Sequence, residues 1–244
     1  MRLLVTRPEP DAIKLVGVLE EAGHEAAVEP LLTLSFADSE DVDLDGVQAL
    51  IATSRNALRA LKGGVVLADA RHLPVFAVGK ATAAEARALG FETVVTGAGT
   101  AAELVAHIVS VLDPASGVLV HLAGDTLARD LAGDLEAHGF RVRRPVVYRM
   151  LPAASFTAQT IDNLASHVID GVILISPRTA AIYAGLIARH GLSEAVRALP
   201  HFCLSEAVAN RLQPLGPVHT RIAAAPRLEE LLALIDESAA QSHS

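Results

Sequence analysis

Short β-branched runs alternate with Ala/Leu/Glu-rich segments of helical period along all 244 residues, and this alternation narrows the possible folds most. Strand-like runs lie near 2–6, 25–31, 48–53, 74–78, 92–96, 117–122, 140–148, 170–175, 200–204 and 218–223. Helical segments between them include 9–22, 81–89, 100–112, 126–138, 179–190 and 227–238. Strands separated by helix-length connections run parallel, and the helices then cover both faces of the sheet. Ten strands are too many for one small sheet and suit two five-stranded ones. The expected class is α/β, in two lobes.

The chain also resembles itself. Leu19-Glu20-Glu21-Ala22-Gly23, with Pro30 beyond, is echoed by Leu135-Glu136-Ala137-His138-Gly139, with Pro145 beyond. Each follows a strand-turn-helix, Leu4-Val5-Thr6-Arg7 in one copy and Leu119-Val120-His121-Leu122 in the other. A second element recurs as Ile51-Ala52-Thr53-Ser54 and Ile173-Leu174-Ile175-Ser176, continuing with Gly79 to Gly90 against Ser205 to Gly216. Glu103-Leu104 and Ile108 then match Glu230-Leu231 and Ile235. The order is X-Y-X-Y at a spacing of roughly 115 to 127 residues, which reads as a duplicated half-protein. Chance likeness among Ala-rich segments is the competing explanation. Connectors are expected near 30–46, which holds an acidic patch from Asp38 to Asp45, and near 145–155. If both cross between lobes, residues 1–35 and 155–244 form one lobe and 36–149 the other.

Composition excludes several classes. With 20 Lys plus Arg against 28 Asp plus Glu, and 3% aromatic residues, the chain lacks the basic field and stacking faces of a nucleic-acid binder. Mean hydropathy is +0.39, yet runs such as Gly171 to Ile175 are strand-sized, well short of the roughly 18–20 apolar residues of a span. Met1 to Pro8 lacks the pattern of a secretory signal. The lone Cys203 excludes an intrachain disulfide and suits a reducing compartment. A cytoplasmic monomer is expected.

Several motifs have simpler readings. Asp41-x-Asp43-x-Asp45-Gly46 opens like a calcium loop, but its twelfth position is Ala52, so a solvated linker fits better. The histidines show no ligand spacing, and no metal is expected. Ser54 and Ser176 follow strands and precede helices, where capping is the ordinary role rather than nucleophilic attack. Gly97-Ala98-Gly99-Thr100-Ala101-Ala102 satisfies a dinucleotide pattern, with Asp125 as a candidate ribose acid, but it lies outside the first βαβ unit where that motif belongs.

The placement of cations is more informative. Arg7, Arg55, Lys80, Arg178 and Arg227 lie just past predicted strands, and Arg129 lies within a turn of another helix start. Ligands of open α/β sheets bind beyond the strand C-termini, where helix N-termini favour anions. An acidic chain with cations on that rim points to a polyanionic small molecule held between two lobes. Arginines that merely bond neighbouring loops are the alternative. Tyr148, beside the expected hinge, is a candidate proton or hydrogen-bond donor, or equally a packed hinge residue, whereas Tyr183 reads as core.

Taken in order, Leu4-Val5-Thr6-Arg7-Pro8-Glu9-Pro10, Pro30-Leu31-Leu32, Ala52-Thr53-Ser54-Arg55-Asn56-Ala57, Val78-Gly79-Lys80-Ala81-Thr82-Ala83, Leu122-Ala123-Gly124-Asp125, Val146-Val147-Tyr148 and Ile175-Ser176-Pro177-Arg178 resemble the uroporphyrinogen-III synthase family over nearly the whole chain. The resemblance implies two flavodoxin-like lobes joined by a two-stranded linker, and a cofactor-free lyase of the hydro-lyase class. It implies hydroxymethylbilane as substrate, cyclised with loss of water and inversion of ring D through a spiro intermediate. Carried over to this sequence, Arg7, Thr53, Ser54, Gly79, Lys80, Thr82, Gly124, Ser176 and Ser205 are the candidate substrate-binding positions, and Tyr148 the candidate catalytic residue. Arg55 stands where many relatives have proline, and Leu204 to Val208 lacks a threonine pair that some carry. A non-catalytic binder of a polycarboxylate and a dinucleotide-dependent enzyme are the alternatives.

Overall fold

The computed structural model describes residues 1–37, 42–97, 99–127 and 129–242. They form two units, one of Met1–Thr33 with Leu151–Ser244 and one of Leu34–Met150. The first unit begins with β1 (Arg2–Val5), α1 (Asp11–Glu21) and β2 (Glu25–Val28), and β3 (Leu32–Phe36) carries the chain into the second. There follow β4 (Val47–Ala52), α2 (Arg55–Arg59), α3 (Val65–Ala70), β5 (Val75–Ala77), α4 (Lys80–Ala88), β6 (Val94–Thr96) and α5 (Ala101–Val111). The second unit closes with β7 (Val118–Gly124), α6 (Leu131–Glu136) and β8 (Arg141–Arg143). The return strand is β9 (Val146–Pro152), and the first unit resumes with α7 (Ala158–Ala165), β10 (Gly171–Leu174), α8 (Pro177–Arg189), β11 (His201–Cys203), α9 (Glu206–Ala209), β12 (Thr220–Ile222) and α10 (Leu228–Ser242).

The first sheet has five parallel strands in the order β12-β11-β10-β1-β2. The second holds seven, β3-β9-β7-β4-β5-β6 with β8 also on β7. Stripped of β3 and β9, its order β6-β5-β4-β7-β8 repeats the first sheet strand for strand, as the duplicated sequence predicts. The registers repeat as well: Val5 pairs with Ile173, and His121 pairs with Ile51.

The expectation of two five-stranded sheets fails for the second. Residues 32–36, expected as part of a connector, form β3. The run expected as one strand over 140–148 is two, because Pro145 has no N–H to continue a ladder. Part of the acidic connector, Asp38 to Asp41, lies outside the described residues, as does Ala98 of the dinucleotide pattern.

Strand alternation gives each sheet two apolar faces. In the first unit Leu3, Val5, Ile173 and Phe202 pack under Leu231 and Ile235 of α10, while Leu4, Val172 and Leu174 pack under Ala180 and Tyr183 of α8. In the second, Ile51, Phe76 and Leu119 meet Leu104 and Ile108 of α5, and Leu50, Val120 and Leu122 meet Leu58 of α2. Each core consumes the residues that a parallel strand must bury on both sides. Among the described residues no helix is long and apolar enough to cross a membrane.

Candidate active site

A cavity of about 330 Å³ opens beyond the C-terminal ends of the second unit's parallel strands. Thr53 and Ser54 reach it from the turn after β4, Val78 from the turn after β5, and Gly124 from the end of β7. Ala101 of α5 and Leu131 of α6 supply an apolar wall, and Arg129 and Tyr148 complete the rim. This is the edge where an open α/β sheet presents helix starts and unpaired backbone amides.

Tyr148 is positioned by backbone pairing. It is in register with Gly124, and its carbonyl accepts the N–H of Asp125 at 3.1 Å. The phenol then lies over Gly124, where an added Cβ would be 2.6 Å from Tyr148 Cζ and 2.8 Å from its hydroxyl oxygen. A glycine is required for the ring to lie there.

His121 lies three residues before Gly124 on β7, on the face of the strand that it shares with Leu119. It is 1% exposed and lines the cavity, and among the described residues neither ring nitrogen has a hydrogen-bond partner. Burial lowers its pKa to about 4, helped by Arg144 and opposed by Asp130, so the imidazole is neutral at neutral pH. In the sequence His121 is only part of the repeated Leu119-Val120-His121-Leu122 run, because a pattern of residues does not say which buried histidine lacks partners.

The structure thus brings Thr53, Ser54, Gly124 and Tyr148 to one cavity in the second unit. Gly79 is the N-cap of α4 beside Val78, and Lys80 is exposed at its first turn. Thr82 is 7% exposed on the inner face of α4 and is not among the cavity-lining residues. Arg7, Ser176 and Ser205 belong to the first unit, after β1, β10 and β11. Ser176 lines a separate groove of about 690 Å³ with Arg178 and Arg211, and Ser205 is the N-cap of α9. A further cavity of about 560 Å³ touches Met1, Asp170, Pro200 and Arg221, at the edge where the first sheet's strands begin, away from the helix starts.

Several rim cations are engaged locally. Arg7 pairs with Asp11 at 2.9 Å, Arg129 with Asp134 at 2.6 Å, and Arg227 with Glu230 at 2.5 Å. The alternative of loop-bonding arginines therefore accounts for these three, and the anion-attracting rim is weaker than their positions in the sequence suggest.

The helix-capping reading holds at Ser54 and Ser176. Ser54 accepts the N–H of Asn56 at 3.2 Å and Ser176 that of Thr179 at 3.1 Å, which is helix capping. Thr100 and Glu103 form a capping box on α5, so a carboxylate already occupies the helix start that a pyrophosphate would need. Asp43 pairs with Arg143 at 3.0 Å, and among the described residues no cluster of His, Cys, Asp or Glu could hold a metal. Tyr183 is fully buried, its hydroxyl 3.1 Å from His201 Nε2, and burial pushes the Cys203 thiol up to about 12.

The family model described as uroporphyrinogen-III synthase HemD matches residues 13–233. Comparison with curated proteins gave no significant match. Among solved structures, uroporphyrinogen-III synthetase from Helicobacter pylori superposes with a TM-score of 0.65 at 19% identity, over 98% of this chain and 100% of that one. A mutant uroporphyrinogen III synthase from the extremely thermophilic bacterium Thermus thermophilus gives 0.56 at 18% identity, over 99% of each chain. At these identities the structural likeness bears on the fold.

Proposed function

The chain belongs to the uroporphyrinogen-III synthase family, enzymes of tetrapyrrole biosynthesis, and from that premise we propose that its second-unit cavity handles the reacting end of hydroxymethylbilane. The observation that carries the enzyme assignment is the family match across residues 13–233. For the site, support comes from the phenol of Tyr148 held over Gly124 at the C-terminal edge of the sheet.

The reaction begins when the terminal hydroxyl leaves as water. The C–O bond breaks, the hydroxyl departs with its bonding electrons and one proton, and the pyrrole nitrogen's lone pair fills the vacancy to give an azafulvene cation. Tyr148 is the proposed donor to the departing oxygen. The substituted carbon of ring D then attacks the cation to give the spiro intermediate. That carbon's bond to the methylene of ring C breaks, leaving a second azafulvene cation. The free α-carbon of the inverted ring D attacks it, and the proton lost there as ring D regains aromaticity replaces the one the phenol gave. Every electron comes from the substrate, so the step is redox-neutral and needs no electron-transfer cofactor.

Folding the linear tetrapyrrole so that its ends meet is the larger task, since positioning replaces an otherwise improbable encounter. Thr53, Ser54, Gly79, Lys80, Thr82 and Gly124 are the proposed contacts from the second unit, with Arg7, Ser176 and Ser205 from the first. Carboxylates of the bilane would take backbone N–H groups at helix starts in preference to side chains already paired with one another. The proposed setting is the cytoplasm, with the enzyme acting as a monomer.

The test is a coupled assay in which hydroxymethylbilane is generated in situ and the oxidised products are separated. Predominantly isomer III, dependent on the protein, supports the assignment. Isomer I alone from folded protein, with the bilane bound but released unchanged, would leave only a binder.

A further inference from the structure

We propose that His121 accepts a hydrogen bond from the N–H of the pyrrole bearing the departing hydroxyl, which makes it a substrate-contacting residue of the second-unit cavity. The proposal rests on the reading of that cavity as the bilane site.

The argument starts from an unmet need. A buried polar side chain without partners is costly, and native proteins seldom keep one without a use. His121 is 1% exposed, both its ring nitrogens are unpaired among the described residues, and it lines the cavity. The fold does not require a histidine there. In the first unit the strand register, one residue off the pairing of Leu4–Arg7 with Leu119–Leu122 made in the sequence, puts Val5 opposite the matching isoleucine, and Val5 is fully buried and apolar. Where the first unit has a residue that merely packs, the second has one that packs and also carries two ring nitrogens.

The chemistry of the cavity selects the partner. Thr53, Ser54, Tyr148 and Arg129 can all donate hydrogen bonds to substrate oxygens. What they do not supply is a neutral nitrogen lone pair at depth. A neutral imidazole always has one accepting nitrogen, whichever tautomer it adopts, and burial keeps this one neutral. The complementary donors of the bilane are its pyrrole N–H groups. As the C–O bond breaks, positive charge spreads onto the N–H of the reacting ring, and a hydrogen bond to a preorganised neutral acceptor strengthens as that charge develops. Such a contact favours the transition state over the bound substrate, so its loss falls on kcat rather than KM.

The experiment compares wild type, His121→Leu and His121→Gln as full-length protein in the coupled assay, with thermal unfolding of each. Leu removes the acceptor and the unpaired nitrogens together; the Gln carboxamide restores an acceptor. His121→Leu is expected to lower kcat by about tenfold to hundredfold with KM nearly unchanged, while its thermal midpoint rises by about 2–4 °C. His121→Gln is expected to recover a large part of the lost rate. Wild-type kcat in His121→Leu, from an enzyme that makes isomer III, overturns the proposal alone. Loss of rate in both variants with lowered midpoints assigns His121 a purely structural role and also overturns it. Isomer I alone from the wild type brings down the underlying reading, and the proposal with it.

Discussion

Tyr148 and Gly124 depend on one another. The ring occupies the space a side chain at position 124 would need, with Cζ 2.6 Å from where a Cβ would stand. Gly124→Ala therefore displaces the phenol, and because Tyr148 is only half-buried it can swing aside at little cost. Tyr148→Phe leaves the ring in place and removes the hydroxyl. Both are expected to lower kcat by about tenfold or more with a stability change under about 1 kcal/mol, by steady-state assay and urea unfolding. Full activity of Tyr148→Phe across pH would remove the phenol from the mechanism. A second residue-scale consequence concerns acid. His121 and His201 each have a pKa lowered from 6.5 to about 4, chiefly by burial. The unfolded chain binds more protons than the native one between those values. Their contribution is thus complete above about pH 6.5 and is lost as pH falls toward 4, by about 2 kcal/mol per histidine at pH 5. Urea midpoints at pH 7 and pH 5 check this, and His121→Leu should show a smaller drop; equal midpoints in the wild type would refute it.

At the scale of elements, the end of β2 is fastened to the start of α7 by one carboxylate. Glu29, 4% exposed, accepts the Thr157 N–H at 3.2 Å and its hydroxyl at 2.6 Å, and also bonds the Thr160 hydroxyl. A carboxylate at a helix start is favoured by the exposed amides and by the dipole. Glu29→Ala leaves those donors unmet, and a loss of about 2–3 kcal/mol is expected, read by urea unfolding. No change would mean that solvent replaces the carboxylate. This link spans 128 residues of sequence and no local pattern announces it. What is legible locally is the class of the fold. Runs such as Val172-Ile173-Leu174 are buried on both faces, and that continuous apolar character is what a central parallel strand displays. β3 reads as connector because Leu32-Thr33-Leu34-Ser35-Phe36 mixes polar and apolar positions, and only its pairing with β9 makes it a strand. α2 and α3 are too short for a helical period to show. The gathering of Thr53, Ser54, Gly124 and Tyr148 follows from where strands end, whereas the unpaired state of His121 depends on three-dimensional neighbours and leaves no trace in the sequence.

The whole molecule is one topology written twice, with the second copy inserted between the halves of the first. Each unit has its own apolar clusters, so the second has what it needs to fold by itself. Its chain enters along β3 and leaves along β9, neighbouring strands bonded where Ala37 N–H meets the Val147 carbonyl at 3.0 Å. Cutting at 33/34 and 150/151 severs only those two strands and leaves the fragment's ends adjacent. The fragment 34–150 is therefore expected to fold, showing mixed α/β circular dichroism and one cooperative urea transition. It also localises the cost of the orphaned histidine. If that cost belongs to the second unit's own cavity, His121→Leu raises the unfolding midpoint of the fragment as it does that of the whole chain. A fragment that folds but is indifferent to the substitution would place the source of the effect outside the unit that contains His121, and a fragment that does not fold would show that the second unit's clusters are insufficient without the first.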